Sequence, residues 1–262
     1  MHRRTGGLVL DMARDNRYGT FTLLRPATEE SLLMNEKAQY SPDQKCTRSL
    51  RSRKKFLGSA QVEEIRRNEI TLDLKNLLSM LPVEVRNAKI NLLALGCRNH
   101  LEIDFLSGVD KNFIVKGIDL APASDKSENI IQGNVENFLD TKGNKIAPFV
   151  NERVDIYYSS HNLEHLSDPI QHFEKLLEHA KDDTLYYYIL PCWNSSVGPT
   201  LGHPNYIHCT HTCESFNNKS FNEYLNEVLP HNVRAEVVFT KYREDICDDL
   251  RVAFRVTKVE SK

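Results

Sequence analysis

Ile90-Asn91-Leu92-Leu93-Ala94-Leu95-Gly96-Cys97-Arg98-Asn99-His100 is the stretch whose reading decides the fold. An apolar run stops at a glycine and gives way to polar residues, the pattern of a buried parallel strand that turns into a helix over a ligand. A second apolar run, Phe113-Ile114-Val115-Lys116-Gly117-Ile118, ends at Asp119, 23 positions after Gly96. At that interval an acid on the second strand meets a ribose, so the pair reads as a nucleotide-binding unit. The same pair occurs in α/β proteins that bind nothing there, and the downstream segments have to carry the assignment.

Working toward the C-terminus, strands are expected at 90 to 95, 113 to 118, 130 to 132, 154 to 159 and 184 to 190, with helices at about 99 to 107 and 169 to 180. Strict alternation of this kind predicts a doubly wound, mostly parallel α/β sheet. A helix at 213 to 229 then precedes Val233-Arg234-Ala235-Glu236-Val237-Val238-Phe239-Thr240 and Arg251-Val252-Ala253-Phe254-Arg255-Val256-Thr257. Their connection is too short for a parallel crossover, so these two strands must be antiparallel neighbours. About seven strands with an antiparallel C-terminal edge result.

Working toward the N-terminus, Val62, Ile65, Ile70, Leu72, Leu74, Leu77, Leu78 and Leu81 recur at largely three- and four-residue intervals, predicting a helix from Ser59 to about Met80 that Pro82 stops, its apolar stripe on the main domain. Residues 1 to 58 read as an irregular extension. Within it Gly7 to Ala13 and Tyr18 to Leu24 suit a hairpin around Arg14-Asp15-Asn16-Arg17. A cap over the cleft and a dimer contact are equally open for this part. The organisation expected is thus 1-58 extension, 59-84 helix and 85-262 catalytic-type domain.

The chain of 262 residues supports a core without disulfides or metal. Lys+Arg 34 against Asp+Glu 36 gives a net charge of -2, which argues against a nucleic-acid partner. Arg48, Arg51, Arg53, Lys54 and Lys55 form the one dense basic run, read as a solvated face because only Phe56 interrupts it. Six scattered cysteines, no signal-type apolar core and no run of 18 apolar residues lead us to expect a cytoplasmic protein without a membrane span.

From about residue 86 to 258 the chain resembles class I S-adenosylmethionine-dependent methyltransferases. Leu92-Leu93-Ala94-Leu95-Gly96-Cys97 is similar to the first half of their first motif, and Gly117-Ile118-Asp119-Leu120 to the second, whose acid binds ribose hydroxyls. Ile131-Gln132-Gly133-Asn134-Val135-Glu136 resembles the loop that meets the adenine, with Asn134 where an aspartate is usual. Asp155-Ile156-Tyr157-Tyr158-Ser159-Ser160-His161-Asn162-Leu163-Glu164-His165-Leu166, followed by Asp168-Pro169, resembles the fourth-strand segment of small-molecule and sugar methyltransferases. The resemblance implies a Rossmann-like fold and S-adenosylmethionine as cofactor, with no metal. It also implies cofactor contacts at Leu95, Gly96, Arg98, Asn99, Glu102, Asp119, Leu120, Asn134, Val135 and Ser160. Its acceptor would be a small hydroxylated molecule, a sugar or glycan precursor, with His161 or His165 as general base.

Arg98 departs from the family's usual second glycine. Either the chain is a noncatalytic binding or scaffold member, or it resembles a branch reading Gly-x-Arg-Asn-x-x-Glu, in which Arg98 meets the donor carboxylate and Glu102 pairs with Arg98 or reaches the amino group. A nicotinamide oxidoreductase is disfavoured by the same missing glycine and by the antiparallel last strands. His203, His208, Cys209, His211 and Cys213 are five donors that could build a zinc site, in a spacing that fits no standard finger; the alternative is that His203, His208 or His211 contacts the acceptor. Trp193 and Tyr206 flank that loop and could stack on a sugar or cover the core. His161 and His165 lack a third ligand in the local pattern.

Overall fold

The computed structural model describes residues 10–14, 21–26, 59–97, 99–120, 128–149, 153–163, 166, 168–191, 225, 229–230, 233–243 and 249–258. Leu10–Arg14 (β1) and Phe21–Pro26 (β2) pair antiparallel, as the polar turn between them suggests. Ser59–Met80 (α1) is a helix of 22 residues that ends just before Pro82, and Val83–Arg86 (α2) is a single turn after it. Ile90–Leu95 (β3), His100–Ser107 (α3), Phe113–Asp119 (β4), Ile130–Asn134 (β5), Leu139–Asp140 (β6) and Val154–Ser160 (β7) follow. Pro169–His179 (α4), Ala180–Pro191 (β8), Val233–Arg243 (β9) and Asp249–Lys258 (β10) complete the order. Asp168 caps α4 by accepting the Gln171 N–H at 2.9 Å, with Pro169 at the first helical position, where its missing N–H costs nothing.

One sheet holds eight strands in the order β6-β5-β4-β3-β7-β8-β10-β9. β5, β4, β3, β7 and β8 run parallel; β10 pairs antiparallel with both β8 and β9. The doubly wound, mostly parallel sheet with an antiparallel C-terminal edge is therefore present, with one strand more than the apolar runs predict. The extra strand, β6, is two residues long and pairs Gly133 with Asp140 and Asn134 with Leu139. Asn134 consequently ends a strand rather than lying in a loop. β8 also begins earlier than its apolar run, because Lys181-Asp182-Asp183 carries the strand through polar residues and a left-handed Asp183 (φ +75°).

Central strands buried on both faces need apolar residues at consecutive positions, and β3 and β7 supply them. One face packs Leu92, Ala94, Val115, Tyr158 and Tyr187 against Ile70, Leu74, Leu77 and Leu78 of α1 and Ile103 and Leu106 of α3. Leu72, expected on the same stripe, is instead 59% exposed, because it falls two residues from both Ile70 and Leu74 and so on another side of the helix. The opposite face packs Leu93, Leu95, Tyr157, Tyr186 and Tyr188 against Phe173 and Leu176 of α4. α1 is also fixed by charge: Asp73, 1% exposed, accepts from the Tyr187 hydroxyl at 2.9 Å and pairs with Lys241 and, at 3.1 Å, with Arg251, which also pairs with Glu69.

Candidate functional site

The turn after β3 is built around Gly96. Its N–H donates to the Ile118 carbonyl at 2.8 Å, and its φ of +70° lies in the region that suits glycine. A Cβ there would fall 2.4 Å from Asn162 Oδ1, so the loop after β7 is in contact with the turn after β3. The Asn162 Nδ2 is buried with no hydrogen-bond partner among the described residues. Beyond the turn, Cys97 fills the space over Gly117, where a Cβ would lie 2.3 Å from its sulfur. Burial first, then Glu102 and Asp119, push the Cys97 thiol up to about 12, which leaves it without nucleophilic thiolate at neutral pH.

A hydrogen-bonded chain crosses the carboxyl end of the sheet between α1 and α3. Arg66 Nη2 donates to Ser160 Oγ at 2.7 Å, Ser160 donates to the buried Tyr158 hydroxyl, and Tyr158 donates to the Glu102 carboxylate. Each hydroxyl accepts from one neighbour and donates to the next, so the members polarise one another. Burial lifts Glu102 to about 7, opposed by the Tyr158 hydrogen bond and by the charges of Arg66 and His161. Tyr158 is pushed far above the usual phenol range by burial and by Glu102.

On the other side of β3, Asp119 ends β4 half-buried and Leu120 projects into solvent at 66% exposure. Asn134 Oδ1 accepts the Glu136 N–H at 2.7 Å, tightening the turn out of β5. Val135 is buried, and its carbonyl lies 2.7 Å from Nδ1 of His172, whose Nε2 lies 2.9 Å from the Tyr188 hydroxyl. A carbonyl only accepts, so Nδ1 carries the proton and the neutral ring accepts from Tyr188 through Nε2. Complete burial holds His172 down to about 4 and so keeps it neutral.

The structure thus brings Gly96, Asn99, Glu102, Asp119, Asn134, Val135 and Ser160 to the carboxyl ends of β3, β4, β5 and β7. Leu95 belongs to the core at 1% exposure and offers this edge only its backbone. Asn99 precedes α3 in extended conformation and donates its N–H to the Cys97 carbonyl at 2.6 Å. His161 follows β7 with φ +52°, its N–H bonded to the Ile189 carbonyl at 2.9 Å. Arg98, His165 and the group His203, His208, Cys209, His211 and Cys213 lie outside the described residues, as do Trp193, Tyr206 and nearly all of 213 to 229. Sequence reasoning did not single out Arg66, Asn162 and His172. Only His172 carried a signal, a histidine on the apolar face of a helix; nothing near Arg66 in the sequence marks its partner 94 residues away.

The strand order, with β10 inserted antiparallel between β8 and β9, is a Rossmann-like arrangement with an antiparallel C-terminal edge. No protein-family model matches the chain, and no curated protein does. Among solved structures, the plantazolicin methyltransferase BamL, in complex with a triazolic desmethylPZN analog and SAH, aligns at TM-score 0.49 and 14% identity, over 87% of this chain and 99% of that chain. A SAM-dependent methyltransferase from Aquifex aeolicus aligns at TM-score 0.46 and 15% identity, over 79% and 97%. The selenomethionine-substituted CurJ carbon methyltransferase aligns at TM-score 0.49 and 10% identity, over 92% and 74%.

Proposed function

We propose that the chain is an S-adenosylmethionine-dependent methyltransferase whose acceptor is a small hydroxylated molecule, a sugar or glycan precursor. The observation that carries this is the position of Gly96, Asp119 and Asn134 at the ends of the three adjacent strands β3, β4 and β5, next to the β3–β7 pair at which the strand order reverses, which is where open α/β sheets bind nucleotides. The donor set suits that cofactor: a carboxylate for ribose hydroxyls at Asp119, an amide and backbone at Asn134 and Val135 for the adenine, and a second carboxylate, Glu102, for an ammonium. The buried Asn162 Nδ2 beside Gly96, without a partner among the described residues, offers a further donor.

Bound there, the cofactor supplies an electrophilic methyl on a sulfonium. The protein's contribution is alignment and, for a hydroxyl acceptor, proton removal. Gly96, Leu95 and Asn99 let the backbone approach the methionine end, with Arg98, Glu102 and Ser160 contributing side chains; Leu120 flanks the ribose. His161, at a strained position after β7, or His165 takes the proton from the acceptor oxygen. The acceptor class rests on the resemblance of the 155 to 166 segment to small-molecule and sugar methyltransferases.

Calorimetric titration with the donor and its demethylated product tests the first part, with saturable binding of both expected and no binding at millimolar ligand overturning it. Transfer of labelled methyl to a panel of sugars, phenols and amines tests the second. Labelling confined to amines would overturn the hydroxyl assignment.

A further inference from the structure

We infer that Arg66, on α1, holds the α-carboxylate of the bound ligand's amino-acid end while Glu102 takes the ammonium, which makes α1 a wall of the binding site. This deepens the methyl-donor reading and rests on it.

Register supplies the first argument. Leu95 of β3 lies beside Ser159 of β7, so the next pair along is Gly96 and Ser160, and the Arg66 guanidinium bonded to Ser160 sits level with the turn that approaches the ligand. Charge supplies the second. The hydrogen-bonded path from Arg66 to Glu102 runs through two hydroxyls, Ser160 and Tyr158, so a fixed cation and an ionisable anion stand at the two ends of one built chain. A zwitterionic α-amino acid presents the complementary pair. Guanidinium and carboxylate also match in geometry, because the planar fork donates two parallel hydrogen bonds. Arg66 retains 24% of its side-chain exposure, and its Nη2 donates to Ser160 Oγ at 2.7 Å, which puts a guanidinium nitrogen on the Ser160 edge. The packing of α1 needs none of this, since its apolar stripe and Asp73 face the sheet elsewhere along the helix.

The test is titration of the full chain, without acceptor, with S-adenosylhomocysteine, its decarboxylated analogue, and 5′-methylthioadenosine, which lacks the amino-acid end. Arg66→Gln is expected to weaken S-adenosylhomocysteine binding roughly 10- to 100-fold, the worth of one charged hydrogen-bonded contact. It should leave methylthioadenosine and the decarboxylated analogue unchanged, and Arg66→Lys should recover part of the loss. Unchanged methylthioadenosine binding doubles as proof that the variant folds. If Arg66→Gln is unstable, Arg66→Lys carries the same comparison, with a smaller loss confined to S-adenosylhomocysteine expected. Equal losses for all three ligands would make Arg66 a structural residue and overturn the inference. Unchanged S-adenosylhomocysteine binding in Arg66→Gln would also overturn it, and would assign any carboxylate contact of Arg66 to the acceptor. If none of the three binds wild type, the donor reading itself falls, and the inference with it.

Discussion

Glu102 sits near 7 because burial opposes its charge more strongly than Tyr158, Arg66 and His161 favour it. At pH 6 it is mostly protonated, and a ligand ammonium placed beside it would favour the charged form and expel the proton. Calorimetry at pH 6 in buffers of different ionisation enthalpy should therefore register release of up to about one proton per S-adenosylhomocysteine bound, falling toward zero above pH 8. A proton count that does not vary with pH contradicts the ammonium contact. Gly96 makes a second prediction at this scale. Gly96→Ala must hold a side chain at φ +70°, costing about 1 to 2 kcal/mol, and must also displace Asn162. Thermal melts of Gly96→Ala, Asn162→Ala and the double variant should show that the double recovers the steric part of the loss and not the backbone part.

Between elements, the ties that matter join segments far apart in sequence. His172 links α4 to the chain leaving β5 and to β8 through two buried hydrogen bonds. His172→Phe keeps the bulk and strands the Val135 carbonyl and the Tyr188 hydroxyl, an expected loss of about 2 to 4 kcal/mol by urea denaturation. Asp73 does the same for α1. Asp73→Ala leaves Arg251 and Lys241 without it, and because the lysine regains water the cost should be about 2 to 3 kcal/mol, below that of a fully buried pair. How much could be read from the sequence follows the same division. β3, β4 and β7 were legible because central strands of a covered sheet are rich in apolar residues, and the ends of α1 and α4 because Pro82 and Asp168-Pro169 punctuate them. β6 was not, since two residues carry no periodicity, and neither was the polar start of β8. At the strand ends, Gly96 and Asp119 could be picked out from the apolar runs before them, and Asn134 and Glu102 only through the family resemblance. Arg66 and His172 act through partners that only the folded chain brings near, so no local pattern could name their roles.

For the whole molecule, half-buried Glu102 and fully buried His172 pull stability in opposite directions with pH. Glu102 has a folded pKa of about 7 against an ordinary 4.5, so between those values the native state binds the extra proton and stability falls as pH rises. His172 has about 4 against 6.5, so there the unfolded state binds the extra proton and stability rises with pH, being complete above 6.5. From pH 4.5 to 6.5 the two contributions offset each other. Urea midpoints of Glu102→Gln should consequently rise with pH across that window more steeply than those of wild type; parallel profiles would show that Glu102 titrates as an ordinary surface acid.

The place of β10 has a consequence in time. Among the described residues it is the last strand of the sheet in chain order, yet it lies inside it, between β8 and β9, and β9 pairs there with no other strand. On the ribosome, β9 emerges before the neighbour that anchors it, while β8 waits with one side bare. This half of the sheet must close late and in one step, and nascent chains halted before Asp249 should stay open to protease from β8 onward.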